Sequence, residues 1–182
     1  MNPLWLSHFT ATSCIGSGKT ATLAALQQRR GGLTRCAFDT VDLDTYIGEV
    51  PAVDAVQLPA HLAHFDCRNN RLALLGLLQD QFAEAVEAAK AKYGTARVGV
   101  FLGTSTAGIL QTELAYRRRH PDSGALPPDF IYRTTHNTYS VADFVRHYFD
   151  LRGPAVVVSS ACSSSAKVFG SARRMLEAGL ID

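Results

Sequence analysis

Four stretches of the chain place apolar residues at steps of three and four. This spacing gives a helix an apolar stripe on one face, so it predicts four amphipathic helices packed on other elements. They cover residues 20–29, 71–92, 141–149 and 168–176. Two short, continuous apolar runs, at residues 98–102 and 155–158, are typical of strands buried on both faces.

Each apolar run follows a helical stretch after a turn signal, Tyr-Gly-Thr before the first and Arg-Gly-Pro before the second. A helix followed by a buried strand, twice over, indicates an α/β fold with parallel strands. We expect a further strand at residues 4–11, LWLSHFTA. Residues 31–67 and 118–135 contain prolines and glycines and lack a hydrophobic period, which predicts long connections.

Composition narrows the class of protein. The chain has 182 residues, 47% of them apolar and 19% charged, enough for one domain or part of a larger one. A net charge of +2 gives no broad positive field, so we expect no nucleic-acid partner. No apolar run approaches the ~18 residues of a membrane span, and the N-terminus does not resemble a signal peptide. Four cysteines without a CxxC pair favour reduced thiols and a cytoplasmic location.

The glycine-rich turn at residues 16–20, GSGKT, is a candidate phosphate-binding loop. Such a loop uses backbone amides at a helix N-terminus, with the lysine on the phosphates. Its first glycine is missing here, because Ser13 stands at that position. We therefore favour a plain turn leading into a helix over a nucleotide site.

His61, His64 and Cys67 are three candidate zinc ligands at close spacing. Structural zinc sites use four ligands in a closed tetrahedron, and no fourth ligand is evident. We favour histidines without a metal role, and the sequence predicts no metal and no cofactor.

Cys162 lies in a run of small residues, SSACSSSA at 159–166, between a predicted strand and a predicted helix. A cysteine at such a turn is close to the free amides and the positive dipole end of the helix, which favour a nucleophilic thiolate. Small neighbours leave room for a substrate carbonyl, and the Cys162 amide is a candidate oxyanion donor. The alternative is a small buried cysteine among serines.

The segment SACSSS at residues 160–165 closely resembles the nucleophile motif of the β-ketoacyl-acyl carrier protein synthases. Gly153-Pro154 upstream and Gly179 downstream agree with it. Other segments resemble that family in the same order along nearly the whole chain, although each is less specific than the cysteine motif. They are the opening strand, turn and helix at 12–26, a helix start at 68–72 and a glycine-rich strand-to-loop segment at 99–109.

The resemblance implies a thiolase-like α/β fold, a mixed and mostly parallel sheet covered by helices, of which residues 1–182 are the N-terminal half. It implies that Cys162 accepts an acyl group from acyl carrier protein and supplies one oxyanion donor. Malonyl-acyl carrier protein then loses CO₂, and its carbanion attacks the acyl group, in fatty-acid or in polyketide and polyene biosynthesis. Residues 103–108 would lie near the active site and the dimer region.

The catalytic histidines of the resembled family lie in its second half, beyond the nucleophile helix. None of the six histidines here matches those motifs, so Cys162 is the one catalytic residue that we assign. We expect this half to be incomplete by itself. It would act with the C-terminal half of the same enzyme or with a second chain, as a homodimer or heterodimer.

Other classes of protein stay open. One is a non-catalytic thiolase-fold partner subunit, similar to a chain-length factor, and another is the phosphate-loop protein considered above. A transferase of the same fold that does not decarboxylate its substrate is a third. A group of basic residues is a candidate surface for the acidic carrier protein, although a solvated basic face is the commoner interpretation. These residues are Arg117, Arg118, Arg119 and Arg133.

Overall fold

The computed structural model describes residues 3–38 and 41–182, and within them the chain forms six strands and seven α-helices. The strands are β1 (Thr12–Ser13), β2 (Gly16–Ser17), β3 (Leu33–Arg35), β4 (Tyr46–Gly48), β5 (Val100–Gly103) and β6 (Ala155–Val158). The helices are α1 (Lys19–Gln27), α2 (Arg68–Leu77), α3 (Phe82–Tyr93), α4 (Ile109–Arg117), α5 (Tyr132–Thr135), α6 (Ser140–Tyr148) and α7 (Ser164–Glu177). No helix among the described residues combines the length and the apolarity that a membrane crossing requires.

Strands β5 and β6 pair in parallel, which confirms the α/β prediction for the two apolar runs. Val100 lies opposite Ala155 at one end, and Gly103 lies opposite Val158 at the other. Helix α7 packs on both strands, and so does α6. Because the strands run the same way, both carboxyl ends lie at one edge of the pair, and the chain leaves β6 for α7 at that edge.

Three of the four predicted helices are confirmed as α1, α6 and α7. The prediction of one helix over residues 71–92 is wrong, because the segment forms α2 and α3 with a break between them. Asp80 and Gln81 adopt left-handed backbone conformations there, with φ of 57° and 58°. The break lets the Asp80 carboxylate accept hydrogen bonds from the Lys19 amide, at 2.9 and 3.1 Å.

The predicted strand at residues 4–11 is wrong. This segment has no regular structure, and Trp5 is 89% exposed. Downstream of it, β1 and β2 form a short antiparallel pair. An extended segment becomes a strand only when a neighbour supplies amides and carbonyls for a ladder. Within the described residues no strand pairs with residues 4–11.

The two predicted connections differ in the structure. Residues 31–67 are more ordered than expected, since they contain the antiparallel pair β3 and β4 and two 3₁₀ helices, Val53–Ala55 and Ala60–Phe65. Residues 118–135 are irregular until α5 begins at Tyr132.

The core lies where the second 3₁₀ helix meets α2 and α6. Leu62, Phe65, Leu74 and Phe144 form a buried cluster, in which the two phenylalanine rings lie 5.9 Å apart. The fully buried amide of Asn70 donates to the Phe65 carbonyl at 2.8 Å and so ties α2 to the 3₁₀ helix. This cluster supports α6, one of the two helices that pack on the β5–β6 pair.

Candidate active site

Cys162 occupies the turn between β6 and α7, where the sequence placed it. Its side chain is exposed, so it is not the buried structural cysteine of the alternative interpretation. Helix α7 begins two residues later and has 14 residues, so its N-terminal amides and its dipole face this turn. No acidic side chain stands in the first turn of α7 to oppose a negative charge.

The turn that carries Cys162 is closed by serine hydroxyls. The exposed Ser163 donates its hydroxyl hydrogen to the Ser160 carbonyl at 2.8 Å. The buried Ser164 donates to the Ala161 carbonyl at 2.7 Å and accepts from the Ser160 amide at 2.9 Å. Sequence reasoning treated these serines only as small neighbours of the cysteine, because consecutive serines do not show which one is buried.

Ala161, immediately before the cysteine, has a left-handed backbone with φ of 51°. A residue with a Cβ atom adopts this region at a cost of roughly 1–3 kcal/mol, and such residues cluster at functional sites. The Cys162 amide that follows has no hydrogen-bond acceptor among the described residues. It is therefore a free donor beside the sulfur, the arrangement that an oxyanion site requires.

Gly103, at the end of β5, is pressed against the start of α7. A Cβ atom at this position would lie 2.6 Å from the Ser165 Cα and 2.7 Å from the Ser164 carbonyl carbon. The adjacent Thr104 amide donates to the Val158 carbonyl at 3.2 Å, which joins the ends of the two strands. The glycine-rich segment 103–108 thus begins beside the residues that follow Cys162 at the start of α7. In the sequence, the only sign of the contact between Gly103 and α7 is that Gly103 directly follows the apolar run at residues 98–102.

The segment continues into a groove of about 200 Å³ between α2 and α4. Arg68, Asn69 and Leu72 line one side of it. Residues 106–111 line the other side. Helix α4 was not among the elements that the hydrophobic pattern predicted, although it forms the far wall of this groove.

The glycine-rich turn at residues 16–20 is not built as a phosphate cradle. Gly18, with φ of 85°, precedes α1, but the amide of Lys19 already donates to the Asp80 carboxylate. The Lys19 ammonium lies over the Phe9 ring, 4.8 Å from its centre. A side-chain carboxylate therefore takes the place that a phosphate would need.

His61, His64 and Cys67 are not gathered around a common point. The His64 ring packs on the neighbouring Phe65 ring at 4.4 Å, and Cys67 is buried. Burial raises the pKa of the Cys67 thiol, which keeps it protonated at neutral pH. In residues 3–38 and 41–182 no cluster of three or more histidine, cysteine or acidic side chains is placed to hold a metal ion.

Two other histidines make contacts away from Cys162. The His136 ring is hydrogen-bonded to the Thr112 hydroxyl and so links α4 to the residue after α5. His147 lies 3.3 Å from the buried carboxylate of Asp143 on α6. Neither contact brings an imidazole into the turn that carries Cys162.

The basic group on and after α4 is exposed. Arg118 forms an ion pair with Asp129 at 2.9 Å, and this hydrogen bond holds the pKa of the Asp129 carboxyl below its usual range. Arg117, Arg119 and Arg133 are exposed as well. The group therefore has the character of a solvated basic face.

The family profile described as "Beta-ketoacyl synthase, N-terminal domain" matches residues 71–182. That match covers more than half of the 182-residue chain, so the chain belongs to the β-ketoacyl synthase family. It includes β5, β6, the Cys162 turn and α7. A comparison with curated proteins found no significant match.

Solved ketosynthase structures share the fold. One is the complex of a ketosynthase, ApeO, with its chain length factor, ApeC, from Xenorhabdus doucetiae, of which the matching chain has 31% identity and a TM-score of 0.55. That alignment covers 69% of this chain and 31% of the solved chain. A β-ketoacyl synthase from Burkholderia phymatum STM815 has 22% identity and a TM-score of 0.69, over 93% of this chain and 42% of the other.

A third structure is the ketosynthase from module 6 of the bacillaene synthase of Bacillus subtilis 168. It has 18% identity and a TM-score of 0.60, and the alignment covers 94% of this chain and 28% of that one. The chain thus spans less than half the length of each of these structures. Its fold is the N-terminal half of the thiolase-like fold, as the resemblance implied.

Proposed function

We propose that the chain is the acyl-accepting half of a β-ketoacyl-acyl carrier protein synthase, with Cys162 as its nucleophile. The observation that carries the proposal is the position of Cys162. It is exposed at the N-terminus of α7, beside a free backbone amide, in a chain of the β-ketoacyl synthase family. A sulfur so placed is accessible to a large thioester substrate.

In the first proposed step, the Cys162 thiolate attacks the thioester carbonyl of an acyl group carried on acyl carrier protein. A carbon–sulfur bond forms, and negative charge develops on the carbonyl oxygen. The Cys162 amide is one donor that stabilises this charge. The bond to the carrier thiol then breaks, the carrier leaves as its thiolate and takes up a proton, and the acyl group remains on Cys162.

In the second proposed step, malonyl-acyl carrier protein loses CO₂, and the carbanion that remains attacks the acyl carbonyl on Cys162. A carbon–carbon bond forms, the bond to the Cys162 sulfur breaks, and the β-ketoacyl product stays on the carrier. In the resembled family, the histidines that promote decarboxylation lie in the second half, beyond the nucleophile helix. We therefore propose that residues 1–182 act with a second half, from the same enzyme or from another chain in a homodimer or heterodimer.

The test compares two cysteine variants in the complete, active assembly. Cys162→Ala is expected to abolish transfer of a mass-labelled acyl group from acyl carrier protein to the protein, measured by intact mass and peptide mapping. Cys36→Ala is the matched control and is expected to keep the transfer, because Cys36 follows β3, where its amide donates to the Thr45 carbonyl at 2.9 Å. Undiminished acylation of Cys162→Ala would refute the proposal.

A chain-length-factor-like subunit is the principal rival. It would be related in fold but would have no use for a nucleophile. The exposed Cys162 therefore favours the catalytic role. Preferential alkylation of Cys162 by iodoacetamide, together with acyl transfer, supports the enzyme, and a Cys162 that takes up no acyl group supports the subunit.

A further inference from the structure

The side chain of Ser164 is one of the few buried polar groups in the described chain, and it lies directly under the nucleophile turn. It is 3% exposed, although Ser163 and Ser165 on either side are exposed. Its hydroxyl oxygen accepts a hydrogen bond from the Ser160 amide at 2.9 Å. Its hydrogen is donated to the Ala161 carbonyl at 2.7 Å.

These two hydrogen bonds lie on either side of the strained residue. The Ser160 amide lies before Ala161, and the Ala161 carbonyl lies after its φ of 51°. A non-glycine residue holds this conformation only when its surroundings over-determine it. The Ser164 hydroxyl supplies part of that constraint, because relaxing Ala161 to an ordinary conformation would turn its carbonyl away from the hydroxyl. The Ser164 backbone amide supplies the other part, since it donates to the same carbonyl at 3.1 Å.

The peptide group between Ala161 and Cys162 links this constraint to the chemistry. Its carbonyl is the acceptor for the Ser164 hydroxyl, and its N–H is the free Cys162 amide. The peptide unit is planar, so fixing the carbonyl also fixes the direction of the N–H. The backbone of Ser164 also lies close to the end of β5, since a Cβ atom at Gly103 would lie 2.7 Å from the Ser164 carbonyl.

We infer that Ser164 is a positioning residue, which aims the Cys162 amide at the oxygen where charge develops during acyl transfer. It does not touch the substrate. The inference rests on the proposed function, because it presupposes that Cys162 accepts an acyl group. It extends that function by assigning to the buried Ser164 hydroxyl a part in fixing the direction of the Cys162 amide.

The experiment measures two reactions of Cys162 in the complete assembly. Acyl transfer from acyl carrier protein develops a negative oxygen and needs the amide in its place. Alkylation by iodoacetamide displaces iodide at the sulfur and develops no oxyanion, so it reports only on access and reactivity of the thiol. Ser164→Ala is expected to slow acyl transfer by about 10- to 100-fold and to leave alkylation close to the wild-type rate.

Two further variants complete the design. Ser165→Ala is the matched control, since Ser165 lies on the same helical turn but is exposed, and it is expected to keep both rates. Ala161→Gly combined with Ser164→Ala is expected to regain most of the acyl-transfer rate, because glycine adopts a positive φ without strain. If Ser164→Ala alone folds poorly, the double variant still allows both rates to be measured without the Ser164 hydroxyl.

Each outcome decides the matter. Slower acyl transfer at an unchanged alkylation rate, regained in the double variant, supports the inference. The inference is overturned if Ser164→Ala slows both reactions equally or leaves acyl transfer unchanged. It is also overturned if the double variant transfers the acyl group as slowly as Ser164→Ala. A wild-type protein that is alkylated at Cys162 but never acylated instead overturns the proposed function.

Discussion

The contact between Gly103 and α7 allows a sharp prediction, because one added methyl group would push on the helix that directly follows Cys162. In Gly103→Ala, the new Cβ atom would lie 2.6 Å from the Ser165 Cα and 2.7 Å from both carbonyl atoms of Ser164. All three are backbone atoms of α7, so no side-chain rotation can relieve the overlap.

The size of the effect follows from this distance. Ordinary contact begins near 3.4 Å, so the strand end and the helix must separate by about 0.8 Å. Forcing an extra carbon into a close-packed site costs about 1–3 kcal/mol of folding free energy. Displacement of a catalytic group by about 1 Å can lower a rate about 100-fold. We therefore expect both lower stability and much slower acyl transfer.

The assay has two parts, the free energy of unfolding in urea and the rate of acyl transfer to Cys162. Gly31→Ala is the matched control, because a Cβ atom at Gly31 meets nothing within 4 Å. The control is expected to retain the rate and to gain up to about 1 kcal/mol of stability from a stiffer unfolded chain. A Gly103→Ala protein with wild-type stability and wild-type rate would refute this account of the strand–helix contact.

Three other predictions concern separate groups. Asp80→Asn weakens the cap on the α1 N-terminus and is expected to lower the unfolding free energy by about 1 kcal/mol, measured by urea titration. Iodoacetamide near neutral pH is expected to modify the exposed Cys162 before Cys67, whose raised pKa and burial protect it, as peptide mapping would show. Arg118→Ala is expected to raise the pKa of Asp129 toward the ordinary value of about 4, measured by NMR titration.

The direction of the Asp129 pKa shift also determines the pH range in which the Arg118–Asp129 pair stabilises the fold. Because Arg118 lowers the Asp129 pKa in the folded chain, the pair stabilises the fold at pH values above the ordinary carboxyl pKa. That contribution disappears as the pH falls through the lowered value. The prediction for Arg118 is contradicted if the Asp129 pKa does not move in Arg118→Ala. The prediction for Asp80 is contradicted if Asp80→Asn keeps the wild-type free energy of unfolding. The labelling prediction is contradicted if iodoacetamide modifies Cys67 faster than Cys162.

Some of the structure follows from the sequence alone. The apolar runs of β5 and β6 and the helical periods of α1, α6 and α7 are local patterns, so neighbouring residues alone were enough to predict these elements. The small-residue run around Cys162 gave the strand-to-helix turn and the candidate nucleophile for the same reason. The spacing of apolar residues and their order along the chain are properties of the sequence itself and need no knowledge of distant contacts.

The tertiary structure decided the rest, because those features depend on contacts between residues distant in the chain. Whether residues 4–11 form a strand depends on a neighbouring strand, and the break before α3 depends on α1, to which Asp80 is bonded. Three consecutive serines follow Cys162, and the sequence does not distinguish them. In the folded chain Ser164 is buried and its hydroxyl bonds across the turn to Ser160 and Ala161, whereas Ser163 and Ser165 are exposed. Only the tertiary structure therefore singles out one of the three serines, because burial depends on how the turn and the helix pack.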